Sequence, residues 1–211
     1  MVKYDEVLII YIRGDNNVNR KIIIIEGYLA SGKTTFAIQL SSAINIPYLV
    51  KDTFKIALCT SVSLNNREES SRFSAITFDA MMYVTERLME TGYPVIIEGN
   101  FVPAGLKKVD EAGFIRTLID RYDYQSLTYK LMGDTQTLYK RFIERDKSPE
   151  RVQLLRMFSE PSYDEFDRGC HNLDEFDVGG KTIKIDTTDF KKIDFESYIE
   201  TARIFINNMR K

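Results

Sequence analysis

The sequence predicts an α/β protein: a three-layer sandwich in which a central, mostly parallel sheet of about five strands carries helices on both faces. Three observations lead there. β-branched runs alternate along the chain with segments whose apolar residues recur at helical spacing. The run Ile22–Ile25 is apolar at every position, so both faces of that strand must be covered. That run also passes directly into a glycine-bounded turn, Gly27 to Gly32, with a helical pattern behind it. A chain of 211 residues, 44% hydrophobic and 28% charged, has the size and composition of one globular domain with a substantial core.

Taken in order, "VLIIYI" (Val7–Ile12) is a first β-branched run. The turn-rich "RGDNNVNR" separates it from the rest, so residues 1–20 form either an added edge strand or an accessory piece. "KIIIIE" (Lys21–Glu26) is the buried strand, and Phe36, Ala37, Leu40 and Ile44 mark the helix after it. "IPYLVKD" predicts a short second strand, "TFKIAL" a helix, and "NNREESSR" (Asn65–Arg72) a polar loop. From Ser74 to Glu90, Ile76, Ala80, Tyr83, Val84 and Leu88 form a helical stripe. A Gly-Pro-flanked strand follows from Pro94 to Glu98, then a helix around Ala112–Arg121 and the strand "YQSLTYKLM". Asp134 is placed to N-cap a helix whose inner face holds Leu138 and Phe142. "KTIKIDTTD" is a last strand, and Phe195, Tyr198, Ala202, Phe205 and Met209 line a final helix. Within this single domain, residues from about 145 to 165 read as a lid.

Bulk properties narrow the function. With 29 basic and 31 acidic residues the net charge is −2, which argues against a broad electrostatic grip on nucleic acid. Cys59 and Cys170 match no metal or redox spacing and read as free thiols in a reducing cytosol. No apolar run approaches the roughly 18–20 residues of a spanning helix, and "EVLIIYI" is too short and too acidic in front for a signal peptide. The expectation is a cytoplasmic protein without a membrane partner. His171, the single histidine, lies in the acidic "SYDEFDRGCHNLDEFD", which reads as surface.

The most specific motif is Gly27-Tyr28-Leu29-Ala30-Ser31-Gly32-Lys33-Thr34, with Thr35 behind it; it fits G-x-x-x-x-G-K-[ST]. Its position between strand and helix is the context a phosphate-cradling loop requires. Backbone N–H groups of Gly27, Ala30, Ser31, Gly32 and their neighbours would face the phosphates of ATP. Lys33 would reach the β- and γ-phosphates, and the Thr34 hydroxyl would ligate Mg²⁺. Glu98, at the carboxyl end of an apolar strand, is the matching acid for the metal. This is the P-loop nucleotide-hydrolase arrangement. Asp52, after the second strand, is placed beside the loop as a general base, with N-capping of its helix as the alternative role. Lys55, one short turn on, and Asn100, after Glu98, are candidates to bind the acceptor. Arg141 and Arg145 share a helical face leading into the lid, where guanidiniums could stabilise charge on a transferring phosphoryl group. Arg151 is a further candidate, and a solvated face of weak ion pairs is the alternative for all three.

The order "EGYLASGKTTFA", "KDTFK", "FDAMMYVTERLMETGYPVIIEGNF", "LYKRFIER" and "DTTDF" resembles the P-loop kinases of the polynucleotide-kinase and zeta-toxin-like group, over roughly Lys21 to Asn208. Within that group it is most similar to 5′-hydroxyl polynucleotide kinase domains. The resemblance implies that Asp52 is the general base, that Lys55 binds a phosphate of the acceptor, and that Arg141 and Arg145 open the lid. The sequence departs from that pattern with Glu98 where Asp is usual, and with Lys51 and Lys55 where Arg is usual. The reading is a kinase moving the γ-phosphoryl group of ATP to a hydroxyl, with Mg²⁺. A small molecule or nucleotide is favoured over a polynucleotide 5′ end. The alternative is a nucleotide-binding regulatory ATPase with no kinase acceptor. Oligomeric state is not set by these residues.

Overall fold

The computed structural model describes residues 19–59, 62, 67–102, 110–146 and 161–208. The predicted strand Val7–Ile12, Arg151 and most of the predicted lid lie outside these residues. The elements run β1 (Lys21–Gly27), α1 (Lys33–Ile44), β2 (Tyr48–Val50), α2 (Lys51–Cys59), α3 (Arg67–Glu90), β3 (Val95–Glu98), α4 (Glu111–Arg121) and β4 (Gln125–Met132). They continue with α5 (Thr135–Asp146), α6 (Tyr163–His171), β5 (Lys181–Asp186), a 3₁₀ turn (Phe190–Lys192) and α7 (Phe195–Asn207).

The five strands form one all-parallel sheet in the order β2-β3-β1-β4-β5. β1 is central, held on one side by β3 (Ile22 to Val95, Ile25 to Glu98) and on the other by β4 (Lys21 to Gln125, Gly27 to Leu131). Its alternating side chains supply two cores. Ile22 and Ile24 pack with Phe78, Met81, Met82, Phe101, Ile115 and Leu118 under α3 and α4. Ile23 and Ile25 pack with Phe36, Leu40, Tyr129, Leu131 and Ala202 under α1 and α7. All four isoleucines are at most 1% exposed, each contributing roughly 1.5–3 kcal/mol relative to exposure. This is the predicted three-layer sandwich.

Three local expectations differ. Residues 67–72, read as loop from their polarity, belong to α3. Along that helix Ile76 and Tyr83 are exposed, while Phe78, Met81, Met82, Thr85 and Met89 face the core. The covered face is thus rotated from the predicted stripe, of which Leu88 packs, partly buried, against the core. The acidic stretch around His171 is a helix, α6, with Ser162 in a reciprocal capping box with Glu165, and with Phe166 and Cys170 buried. Its charged face is exposed; its inner face joins Tyr28 and Leu138 in a third small core. Asp134 caps α5 as predicted, its carboxylate accepting the Thr137 N–H at 2.8 Å. No described helix is long and apolar enough to cross a membrane.

Candidate active site

The loop between β1 and α1 sits at the carboxyl end of the central strand, where the chain departs to one side for β2 and β3 and returns to the other for β4. Ligands of open α/β sheets bind at such a switch point. Gly27 is required there. Its φ is 129°, and an added Cβ would lie 2.0 Å from the Leu131 carbonyl oxygen. Gly32 takes φ 87° and precedes α1 without a side-chain cap, and the first turn holds no acidic residue. The N–H groups opening α1 are therefore left for a ligand, with the positive end of the helix dipole behind them. Ala30 is also left-handed, at φ 57°. Ser31 is buried and donates to the Tyr28 carbonyl at 2.8 Å.

Lys33 is 8% exposed and curls back over the loop, donating to the carbonyls of Gly27 (3.0 Å) and Tyr28 (2.7 Å). Burial lowers its pKa; Glu98, Glu26 and Asp52 oppose the shift, and Arg145 adds to it. Charged residues from β1, the end of β3, the first turn of α2 and the last turn of α5 thus all act on this ammonium group electrostatically. Thr34 donates to the Glu98 carboxylate at 2.9 Å, and Glu98 is buried. A hydroxyl and a carboxylate, both hard oxygen donors, suit Mg²⁺, which takes few protein ligands and completes its shell with water and phosphate. No group of three or more His, Cys, Asp or Glu able to hold a metal occurs among the described residues.

A cavity of about 1040 Å³ runs along this edge, lined by residues 29–36 of the loop and α1. Lys51, Asp52, Lys55, Ser74, Thr77, Asn100 and Val102 line it from elements that follow β2 and β3; Arg141, Arg145, Asn172, Leu173 and Phe190 line it from elements that follow β4 and β5. Thr35 lines it and is exposed. Asp52 lies within the first turn of α2, exposed to the cavity rather than capping the helix from outside. Lys55, one turn on, donates to Ser74 Oγ at 3.0 Å, and the Asn100 carbonyl accepts from Lys51 at 3.2 Å.

The two arginines part company. Arg145 lies near enough to Lys33 to perturb it, its guanidinium 5.1 Å from the Phe142 ring centroid. Arg141 is held by the segment after β5. It donates to the carbonyls of Thr187 (2.5 Å) and Thr188 (2.6 Å) and lies 4.2 Å over the Phe190 ring. Phe190 in turn packs so close to Gly32 that a Cβ there would meet the ring at 2.9 Å.

Three sets of residues around the loop were not foreseen. Tyr28 donates to Asp174 at 2.8 Å and lies 3.1 Å from His171 Nδ1, tying the loop to the end of α6; the Asp174 hydrogen bond holds the His171 pKa above its usual value. Glu26 is fully buried and, among the described residues, neither carboxylate oxygen has a hydrogen-bond partner of good geometry; burial raises its pKa to about 7 against Lys130, Lys33 and the Gly27 backbone. Lys130, 3.3 Å from Glu26, donates to the carbonyls of Leu173 and Asp174. The third is the pair Lys51–Glu111, 2.6 Å apart. Among these, Lys130, the one charge inside the strand Gln125–Met132, signals in sequence that a buried partner is needed.

No family model matches the chain, and no curated protein matches it in sequence. Solved structures do match in fold. A protein from Chloroflexus aurantiacus assigned as a kinase superposes with a TM-score of 0.76 at 21% identity, over 88% of this chain and 97% of its own. Deoxyadenosine kinase from M. mycoides gives 0.54 at 16% identity (89% and 100%). Shikimate kinase from Bacteroides thetaiotaomicron gives 0.52 at 15% identity (89% and 99%). The fold is that of P-loop kinases.

Proposed function

We propose that the protein is a P-loop kinase that transfers the γ-phosphoryl group of ATP to a hydroxyl of a small molecule or nucleotide. The observation that carries this is the meeting of Asp52 with Lys33, Glu98 and Arg145 at one cavity. A loop that only bound a nucleotide would have no use for a second carboxylate, from another element, lining the same cavity. The residue pattern favours the polynucleotide-kinase and zeta-toxin-like group within these kinases. Two fold neighbours, a shikimate kinase and a deoxyadenosine kinase, bear the names of a small molecule and a nucleoside. That and the net charge of −2 favour such an acceptor over a polynucleotide end.

In this mechanism the N–H groups at the start of α1 hold the phosphates, with Gly27, Ala30, Ser31, Gly32 and Thr35 shaping the cradle. Lys33 exchanges its two carbonyl partners for phosphate oxygens. Thr34 and Glu98 would hold Mg²⁺, which supplies charge neutralisation on the phosphates. Asp52 accepts the acceptor's hydroxyl proton as the new P–O bond forms and the β–γ bridging P–O bond breaks, releasing ADP. Lys55 and Asn100 orient the acceptor. Arg145 offsets negative charge on the transferring group; Arg141 acts farther off, by holding the 187–190 segment on the donor side. The test is label transfer from γ-labelled ATP to shikimate, gluconate, deoxyadenosine, other small hydroxyl compounds and a 5′-hydroxyl oligonucleotide. A labelled small-molecule product is expected; labelled phosphate from water alone would remove the kinase reading.

A further inference from the structure

Lys51 precedes Asp52 in sequence yet turns its charge inward. Its ammonium is 2.6 Å from both carboxylate oxygens of Glu111, donates to the Asn100 carbonyl, and lies over the rings of Phe78 and Phe101 at 5.4 and 5.7 Å. Both partners are buried, Lys51 to 8% and Glu111 to 3% exposure. Glu111 also accepts the Val102 N–H at 2.9 Å, and the Val102 carbonyl accepts the N–H groups of Glu111 and Ala112. At Gly99 a Cβ would lie 2.9 Å from the Lys51 Cβ, so the two segments approach at glycine distance. One carboxylate thereby joins three pieces: the residue beside Asp52, the 100–102 segment lining the acceptor end of the cavity, and the start of α4.

Stability alone does not call for this pair. A well-packed apolar replacement of a buried ion pair is commonly neutral or stabilising. An apolar pair, however, offers no directional bond to the Asn100 carbonyl or the Val102 amide. We infer that Glu111, acting through Lys51, is a positioning residue of the phosphoryl-transfer site: it sets the 100–102 wall at a fixed distance from Asp52, so that the acceptor hydroxyl meets its base. This rests on the kinase reading above. Lys51 still lines the cavity, but its ammonium is taken up by Glu111 and the Asn100 carbonyl, so Lys55 is the lysine assigned to the acceptor.

The test compares Glu111→Gln, Lys51→Met, the double variant of both, and Lys51→Arg. Two readouts are taken: the Kd of a fluorescent ATP analogue, and kcat/KM for label transfer from ATP to shikimate, gluconate, deoxyadenosine, a 5′-hydroxyl oligonucleotide and water. For whichever acceptor the wild type uses, the single variants and the double are expected to lose about a hundredfold in kcat/KM, the cost of an ångström-scale misplacement. The analogue Kd should stay within about threefold, since Lys51 and Glu111 do not shape the phosphate loop. Lys51→Arg, which can keep a forked bond to Glu111, should stay within about tenfold of wild type. If a single variant fails to fold, the double decides, because it leaves no unpaired buried charge. A double variant with wild-type transfer overturns the inference, as does one that loses the ATP analogue in proportion to transfer. A wild type that moves phosphate to water alone, or to none of these, removes the kinase reading itself and is thereby distinguishable.

Discussion

The Thr34 hydroxyl donates to the Glu98 carboxylate at 2.9 Å, across 64 residues of sequence, so the first residue after the P-loop lysine and the last residue of β3 share one hydrogen bond. Both oxygens then point to the same place at the sheet edge, as a shared Mg²⁺ requires. Glu98→Gln keeps the shape and removes the charge. It should raise the Mg²⁺ concentration needed for half-maximal activity by roughly 10–100-fold, with nucleotide binding in EDTA unchanged. A metal titration of activity checks this.

Asp52→Asn tests the base. Loss of a general base costs about 10²–10⁴-fold, and Asp52 is exposed at the cavity, so the substitution should leave folding alone. The drop should fall on kcat for transfer, with the ATP-analogue Kd within about threefold. Full activity in the variant would show that the proton goes elsewhere.

The divergence of the two arginines predicts divergent kinetics. Arg145→Ala should lower kcat by about a hundredfold or more, as expected for lost stabilisation of transferring charge. Arg141→Ala should raise the KM for ATP about tenfold with kcat little changed, because it frees the carbonyls of Thr187 and Thr188 and uncovers Phe190. Steady-state kinetics at varied ATP separate them.

Glu26 predicts a pH dependence of stability. Its folded-state pKa is raised from 4.5 to about 7, so the folded state holds a proton that the unfolded chain has released. Its contribution is therefore fully present below pH 4.5 and is lost as pH rises towards and through 7, by at most about 3 kcal/mol. The groups acting on it are Lys130 and Lys33, both favouring its charged form. Glu26→Gln should flatten the loss between about pH 5 and 8 in urea-denaturation curves. An unchanged slope would show that Glu26 is ionised throughout.

The layers were legible in sequence because burial on both faces leaves a composition signature: four isoleucines cannot occupy a solvated strand. The P-loop was legible because its geometry demands glycine at fixed spacing, and Asp52 and Glu98 because strand ends point to the same edge. The core face of α3 was not, since apolar residues lie all around it and only the sheet decides which are covered. Glu111, Asp174 and Lys130 owe their places to partners 43 to 146 residues away, a distance no local pattern encodes. Arg141 and Arg145 look equivalent on a helical wheel; the 187–190 segment, which captures one of them, comes from another part of the chain.

The central position of β1 also has a meaning for the chain as it is made. The Ile22–Ile25 strand is made before both of its hydrogen-bonding partners, Val95–Glu98 and Gln125–Leu131. At synthesis rates of about 5–20 residues per second, it waits roughly 5–20 s for the second neighbour. During that interval a bare, uncharged, β-branched run is exposed with no strand to pair with, a ready site for aggregation or chaperone capture. The loop at its end, whose Tyr28 N–H donates to the Leu131 carbonyl, reaches its final form only once residue 131 has emerged.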